Sequence, residues 1–158
     1  HMRCVYFSNR RDHAFEKHFH ATYASLDKVL KTSDFVTLHV PLTSKTRHLI
    51  STKQLMQMKP TSYLINTSRG PIVDEKALVR ALKSKRIAGA ALDVYECEPA
   101  IDCDLTDTLE LRRCENTILT PHTGSATIEA RSAMSICAAK NIIAVLAKKL
   151  PLNPASIL

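Results

Sequence analysis

The sequence predicts an α/β protein built on a doubly wound parallel sheet. Two observations carry this expectation. Short apolar runs alternate with amphipathic stretches along the chain, the rhythm of strands joined by crossover helices. The apolar runs, such as Ser62–Thr67 (SYLINT) and Gly89–Val94 (GAALDV), also carry almost no charge. Strands that apolar have no wet face, so helices are expected on both sides of the sheet.

Each element has its own local signal. Arg3–Phe7 (RCVYF) is a β-rich run near the start. Ser25 is placed to cap a helix, SLDKVLKT, with Leu26, Val29 and Leu30 on one face. Asp34–Val40 (DFVTLHV) is the next strand, stopped by Pro41. Ser51 and Gln54 form a capping box for a helix containing Leu55, Met56 and Met58, which ends near Pro60. Ser62–Thr67 follows as a strand. Asp74 caps a helix running to about Lys85, with Ala77, Leu78, Ala81 and Leu82 inward. Gly89–Val94 and Ile118–Thr120 are further strands, the second ended by Pro121. Residues 126–149 read as one helix, about 36 Å long at the usual rise. Ala130, Met134, Cys137, Ala138, Ile142 and Val145 form its stripe, and Pro151 stops it. Glu96–Asn116, rich in acidic residues and Cys, reads as one long irregular region. His1-Met2 reads as a cloning scar. Residues 3–150 read as one domain, and 151–158 as a tail.

Composition excludes several function classes. A chain of 158 residues, 45% hydrophobic and 23% charged, is not disordered. No apolar run approaches the length of a membrane span. The net charge is +7, but the basic residues are scattered, aromatics are 5% and Trp is absent. A base-stacking surface for nucleic acid is not expected. The five cysteines are odd in number and contain no C-x-x-C. Free thiols in the cytoplasm are expected, with no metal site.

Doubly wound folds bind ligands outside the carboxyl ends of their strands. Four polar groups emerge there: Arg69 after SYLINT, Asp93 at the end of GAALDV, Glu98 after it, and His122 after Pro121. For each, two readings stand. Arg69 suits bidentate capture of a carboxylate, or is a surface arginine bracing a loop. His122 is a general acid or base, or a loop histidine bonded to backbone. Glu98 pairs with His122, or is an exposed charge. Asp93 holds a ligand amide, or a helix N-terminus.

Three runs then resemble a known family. They are Asn66–Leu78 (NTSRGPIVDEKAL), Ala88–Pro99 (AGAALDVYECEP) and Pro121–Thr127 (PHTGSAT). In this order they are similar to the signatures of the D-isomer-specific 2-hydroxyacid dehydrogenases, most of all the glyoxylate/hydroxypyruvate reductases. The resemblance implies a Rossmann-like sheet and hydride transfer between NAD(P)H and a small 2-keto acid. It implies that Arg69 clamps the substrate carboxylate, His122 protonates the ketone oxygen, and Glu98 fixes the tautomer and charge of His122. It implies that Val40, Pro41, Thr67, Ser68, Asp93 and Gly124 line the cofactor cleft. A homodimer or other self-association is expected, with no nucleic-acid or membrane partner.

The sequence departs from the family in two ways. The family's G-x-G-x-x-G turn is absent, since the only glycines are Gly70, Gly89 and Gly124. The first strand of the sheet and the substrate lobe are missing as well, so the chain reads as a C-terminal part of such an enzyme. The run Ser8-Asn9-Arg10-Arg11 stands where an acid would select NAD. Arg10 and Arg11 therefore favour NADP(H), with NAD(H) as the alternative. A nucleotide-sensing, corepressor-like binding protein and an inactive remnant remain the competing readings.

Overall fold

The structure, a computed structural model, describes residues 2–98 and 106–154. The chain forms two compact units, residues 1–121 and 122–158; each is described by itself.

In the first unit, β1 (Val5–Tyr6) pairs in parallel with β2 (Thr22–Tyr23) through α1 (His13–Phe19). Then follow α2 (Leu26–Thr32), β3 (Phe35–Leu38), α3 (Thr52–Leu55), β4 (Tyr63–Asn66), α4 (Glu75–Lys83), β5 (Gly89–Leu92), α5 (Thr106–Leu111) and β6 (Thr117–Leu119). Strands β3 to β6 lie in sequence order in one parallel sheet, and β1 and β2 form a separate one. The doubly wound parallel design is therefore present, split where a 3-2-1-4-5-6 order would place its first strand.

The capping signals work as expected. Ser25 Oγ accepts the Lys28 N–H at 3.3 Å, and Asp74 Oδ1 accepts the Ala77 N–H at 2.9 Å. At α3 the Ser51 N–H donates to Gln54 Oε1 at 3.3 Å, while the Ser51 hydroxyl donates to Asp74 at 2.7 Å. That second bond ties the starts of α3 and α4 together. The α3 helix stops at Leu55, short of Pro60, because Gln57 and Met58 switch to bonds three residues back.

Two expectations are corrected, one about covering and one about an irregular stretch. The core joins Leu30, Leu55, Leu78, Leu82 and Leu111 to Val36, Leu38, Leu64, Ala90 and Leu92, all on one sheet face. The opposite face leaves Phe35, Tyr63 and Ile118 44–68% exposed. The reason is topological. Each crossover from β3 to β6 moves the same way across the sheet, and right-handed crossovers then put α3, α4 and α5 on one side. In addition, the stretch read as irregular from Glu96 to Asn116 contains α5, whose Leu111 is fully buried.

In the second unit, α6 spans Ile128–Leu146 rather than 126–149. Thr127 caps its start, accepting the Ala130 N–H at 3.1 Å. Its end turns at Lys148, where φ is 55°. The stripe expected on it is not buried: Met134, Ile142 and Val145 are all more than half exposed. Beyond it, Asn153 folds back to pair with Asn141. No helix among the described residues is long and apolar enough to cross a membrane. One cysteine expectation fails: Cys97 is disulfide-bonded, whereas Cys4, Cys114 and Cys137 are free.

Candidate active site

The sheet register builds the site. Leu38, Asn66, Leu92 and Leu119 lie side by side across β3 to β6. The residues that follow them therefore leave the sheet along a single edge: Val40-Pro41, Thr67-Ser68-Arg69, Asp93 and Thr120.

Hydrogen bonds shape each exit. Buried Asn66 organises its own turn, donating to the Arg69 carbonyl at 3.0 Å and accepting the Ser68 N–H at 3.1 Å. The Ser68 hydroxyl donates to the Val40 carbonyl at 2.5 Å, joining the turns after β3 and β4. The Arg69 side chain is exposed, with Nη1 donating to the Ser68 carbonyl at 2.7 Å. Asp93 is 6% exposed and accepts the Thr120 hydroxyl at 2.5 Å. The Tyr95 hydroxyl donates to the Thr120 carbonyl at 2.8 Å, and burial pushes its pKa up, helped by the nearby Asp93 charge. The Tyr95 N–H donates to Glu98 Oε2 at 3.2 Å.

Gly70 locks two of these exits together. A Cβ there would stand 1.7 Å from the Tyr95 carbonyl oxygen. The turn bearing Arg69 and the segment bearing Glu98 thus meet backbone to backbone. Arg69, Asp93 and Glu98 are brought to one edge of the first unit, while His122 and Gly124 belong to the second. His122 has φ of 54°, a left-handed conformation that stores strain in a residue with a side chain.

At the other sheet, Arg11 and Arg10 part company. The Arg11 fork grips the Glu16 carboxylate at 2.7 and 2.8 Å and lies 5.8 Å over the Tyr23 ring. That guanidinium holds the Glu16 carboxyl down at about 2. Asp12 is occupied as the cap of α1, accepting the Phe15 N–H at 2.9 Å. Arg10 is exposed beside them.

Sequence reasoning missed a hydrogen-bonded network that runs from exposed His48 to buried Glu75 and Thr108. It comprises His48, Glu75, Glu96 and Thr108, joined by bonds of 2.5–2.6 Å. Their partners lie 21 to 48 residues apart in the chain, so no local pattern marks them. The residues along the edge fit the nicotinamide end of a dinucleotide. Three adjacent strand ends offer carbonyls, hydroxyls and one buried carboxylate, the donor and acceptor set that an amide and a ribose require.

Comparisons with known proteins identify relatives of this fold. The family model for the NAD-binding domain of D-isomer specific 2-hydroxyacid dehydrogenases matches residues 1–124. A glyoxylate reductase of Thermococcus litoralis is 47% identical over 152 residues, which are 96% of this chain and 44% of that protein. One from Thermofilum pendens is 53% identical over 129 residues, 82% of this chain and 37% of that protein. Among solved structures, the D-lactate dehydrogenase with NAD+ from Lactobacillus jensenii superposes with a TM-score of 0.88 at 30% identity, covering 98% of this chain and 48% of that one. The chain thus spans less than half the length of these relatives. With three signature runs in order, a sheet that sends the first two of them out along one edge and a family match over residues 1–124, the chain belongs to the D-isomer-specific 2-hydroxyacid dehydrogenases, in their NAD-binding domain.

Proposed function

We propose that this chain supplies the cofactor edge and the acid–base groups of an NAD(P)-dependent reductase of small 2-keto acids such as glyoxylate or hydroxypyruvate. The carrying observation is the row Leu38, Asn66, Leu92, Leu119, which sends Val40-Pro41, Thr67-Ser68, Arg69 and Asp93 out along one edge. Arg69 binds the substrate carboxylate with two parallel bonds and so orients the 2-keto group. His122 gives a proton to the ketone oxygen, and Glu98 holds its imidazolium. The nicotinamide, when bound, supplies the hydride. Asp93 and Ser68 hold its carboxamide and ribose side, with Gly124 leaving room. Arg10 favours NADP(H), because its guanidinium is exposed while Arg11 is committed to Glu16. Function as a homodimer in the cytoplasm belongs to the same reading.

A chimera tests this. The matching part of the Thermococcus litoralis relative is replaced by this chain, and glyoxylate reduction is followed by NADPH absorbance. The chimera should turn over, and His122→Ala should lower kcat by about 10²–10⁴, the usual worth of a positioned general acid. Arg69→Lys should lower kcat/KM nearly as far, since an ammonium cannot form the two-pronged clamp. Arg10→Ala should weaken NADPH more than NADH. A folded chimera that binds cofactor yet reduces no 2-keto acid overturns the reading.

A further inference from the structure

Glu75 is an acidic residue, buried and outside the chemistry described above. It opens α4 and is only 3% exposed. Its Oε1 accepts the Glu96 N–H at 2.5 Å and its Oε2 accepts the Thr108 hydroxyl at 2.6 Å. Its own N–H donates to Glu96 Oε2 at 3.3 Å. Burial pushes its carboxyl pKa up, against the pull of these bonds. A carboxylate kept in such a place needs its donors. The donors lie on both sides of Glu98 in the chain, Glu96 before it and Thr108 after it.

His48 completes the grip from the other side. Its Nε2 pairs with Glu96 Oε1 at 2.5 Å. Its backbone N–H donates to the Pro71 carbonyl at 2.8 Å, in the turn that follows Arg69. Among the described residues five non-glycine positions have positive φ. His20, Lys85 and Lys148 each close a helix; His48 and His122 do not. Strained backbone away from helix ends persists where the surroundings hold it, and such sites cluster at functional edges.

We propose that Glu75 and His48 are positioning residues for Glu98. Together they clamp Glu96 from two directions, and the clamp fixes the short segment in which the Tyr95 N–H holds the Glu98 carboxylate. Removing either jaw lets the segment swing and displaces Glu98. The inference deepens the reductase reading, on which the importance of Glu98 rests.

Amide hydrogen exchange of the 158-residue chain tests the placement without any turnover. The Tyr95 amide is the reporter, because its acceptor is Glu98 itself. His48→Ala and Glu75→Ala should speed Tyr95 exchange by about tenfold, as local opening would. The Leu64 and Leu92 amides, inside the sheet, should keep the parent rate. His48→Gln, which keeps a donor near the Nε2 position, should restore Tyr95 protection. Parent-like Tyr95 exchange in both alanine variants overturns the proposal. So does a glutamine variant as fast as the alanine one, because the histidine's donor would then be irrelevant. Should Glu75→Ala unfold the chain, Leu64 and Leu92 lose protection and exposed His48 decides. In the chimera, His48→Ala should lower kcat with KM little changed. A chimera silent even without substitution counts against the reductase reading alone, and the exchange result stands by itself.

Discussion

Gly70 decides whether two loops of the candidate site can meet. Its absent methyl group leaves room for the Tyr95 carbonyl, and no rotamer relieves a 1.7 Å clash with backbone. Gly70→Ala should therefore destabilise the chain by about 3 kcal/mol or more, at the upper end of overpacking. Urea unfolding measures this, and a loss under about 1 kcal/mol would mean that the loops part easily. The pair Arg11–Glu16 gives a pH prediction. Glu16 is held at about 2, below its ordinary 4.5. A lowered carboxylate stabilises the fold above its ordinary pKa, and that support is lost as pH falls toward the native value. The Tm gap between the parent and Glu16→Gln should accordingly close between pH 4.5 and about 2, and shrink with added salt, because the pair is at the surface. A gap independent of pH would show that Glu16 acts through Tyr6, whose hydroxyl donates to it at 2.8 Å. The positions of Arg69 and His122 just past β4 and β6 were legible because each follows an apolar run with a turn residue beside it. The part played by Gly70 was not: it leaves room for Tyr95 backbone brought in from the neighbouring strand's exit.

Among the described residues, three helices end on left-handed residues that are not glycine. Lys85 is one of them: φ is 53°, and the Arg86 N–H reaches back to the Ala81 carbonyl at 2.8 Å. A side chain in that conformation costs roughly 1 kcal/mol that glycine does not. Lys85→Gly should raise stability by up to about 1 kcal/mol in denaturant unfolding, and a fall would mean that the lysine has a contact worth more than its strain. The elements that sequence located share a signal confined to four residues: Ser25 before α2, the Ser51–Gln54 box before α3, and Asp74 before α4. The elements it missed lack a buried face or depend on distant partners. Helix α1 buries no residue, and β2 is two residues long, a strand only because Thr22 and Tyr23 face Val5 and Tyr6. Helix α5 is six residues long and is recognised by Thr108 and Leu111 turning inward. The one-sided cover of β3 to β6 was illegible for a different reason. Apolar strands report that both faces want covering, but crossover handedness decides which face this chain's own helices reach.

At the scale of the molecule, the split sheet is the dominant feature. Among the described residues, β1 pairs only with β2, and β3 pairs only with β4. Each keeps one edge of backbone donors and acceptors without a strand partner, and such edges attract other chains. The exposed sheet face with Phe35, Tyr63 and Ile118 adds apolar surface. So does α6, where Ile128, Ile143 and Leu146 are 65–83% exposed. A helix with apolar residues all round is normally an interior one. Against this, a net charge of +7 resists association through repulsion. Screening removes that repulsion beyond about 10 Å at 0.1 M salt, while apolar contact is not weakened by it. The 158-residue chain should therefore self-associate, and more strongly as salt rises. Its cofactor affinity should be weak for a separate reason. The edge offers the nicotinamide its partners, but no glycine-rich turn with a helix N-terminus is present to take the pyrophosphate, whose charge carries much of the binding. Light scattering across a salt series, with NADPH titrated into the same samples by fluorescence, measures both. A salt-independent monomer that binds NADPH at micromolar levels would contradict the argument on both counts. It would require β1 and β3 to find some partner within the chain that their present edges do not have.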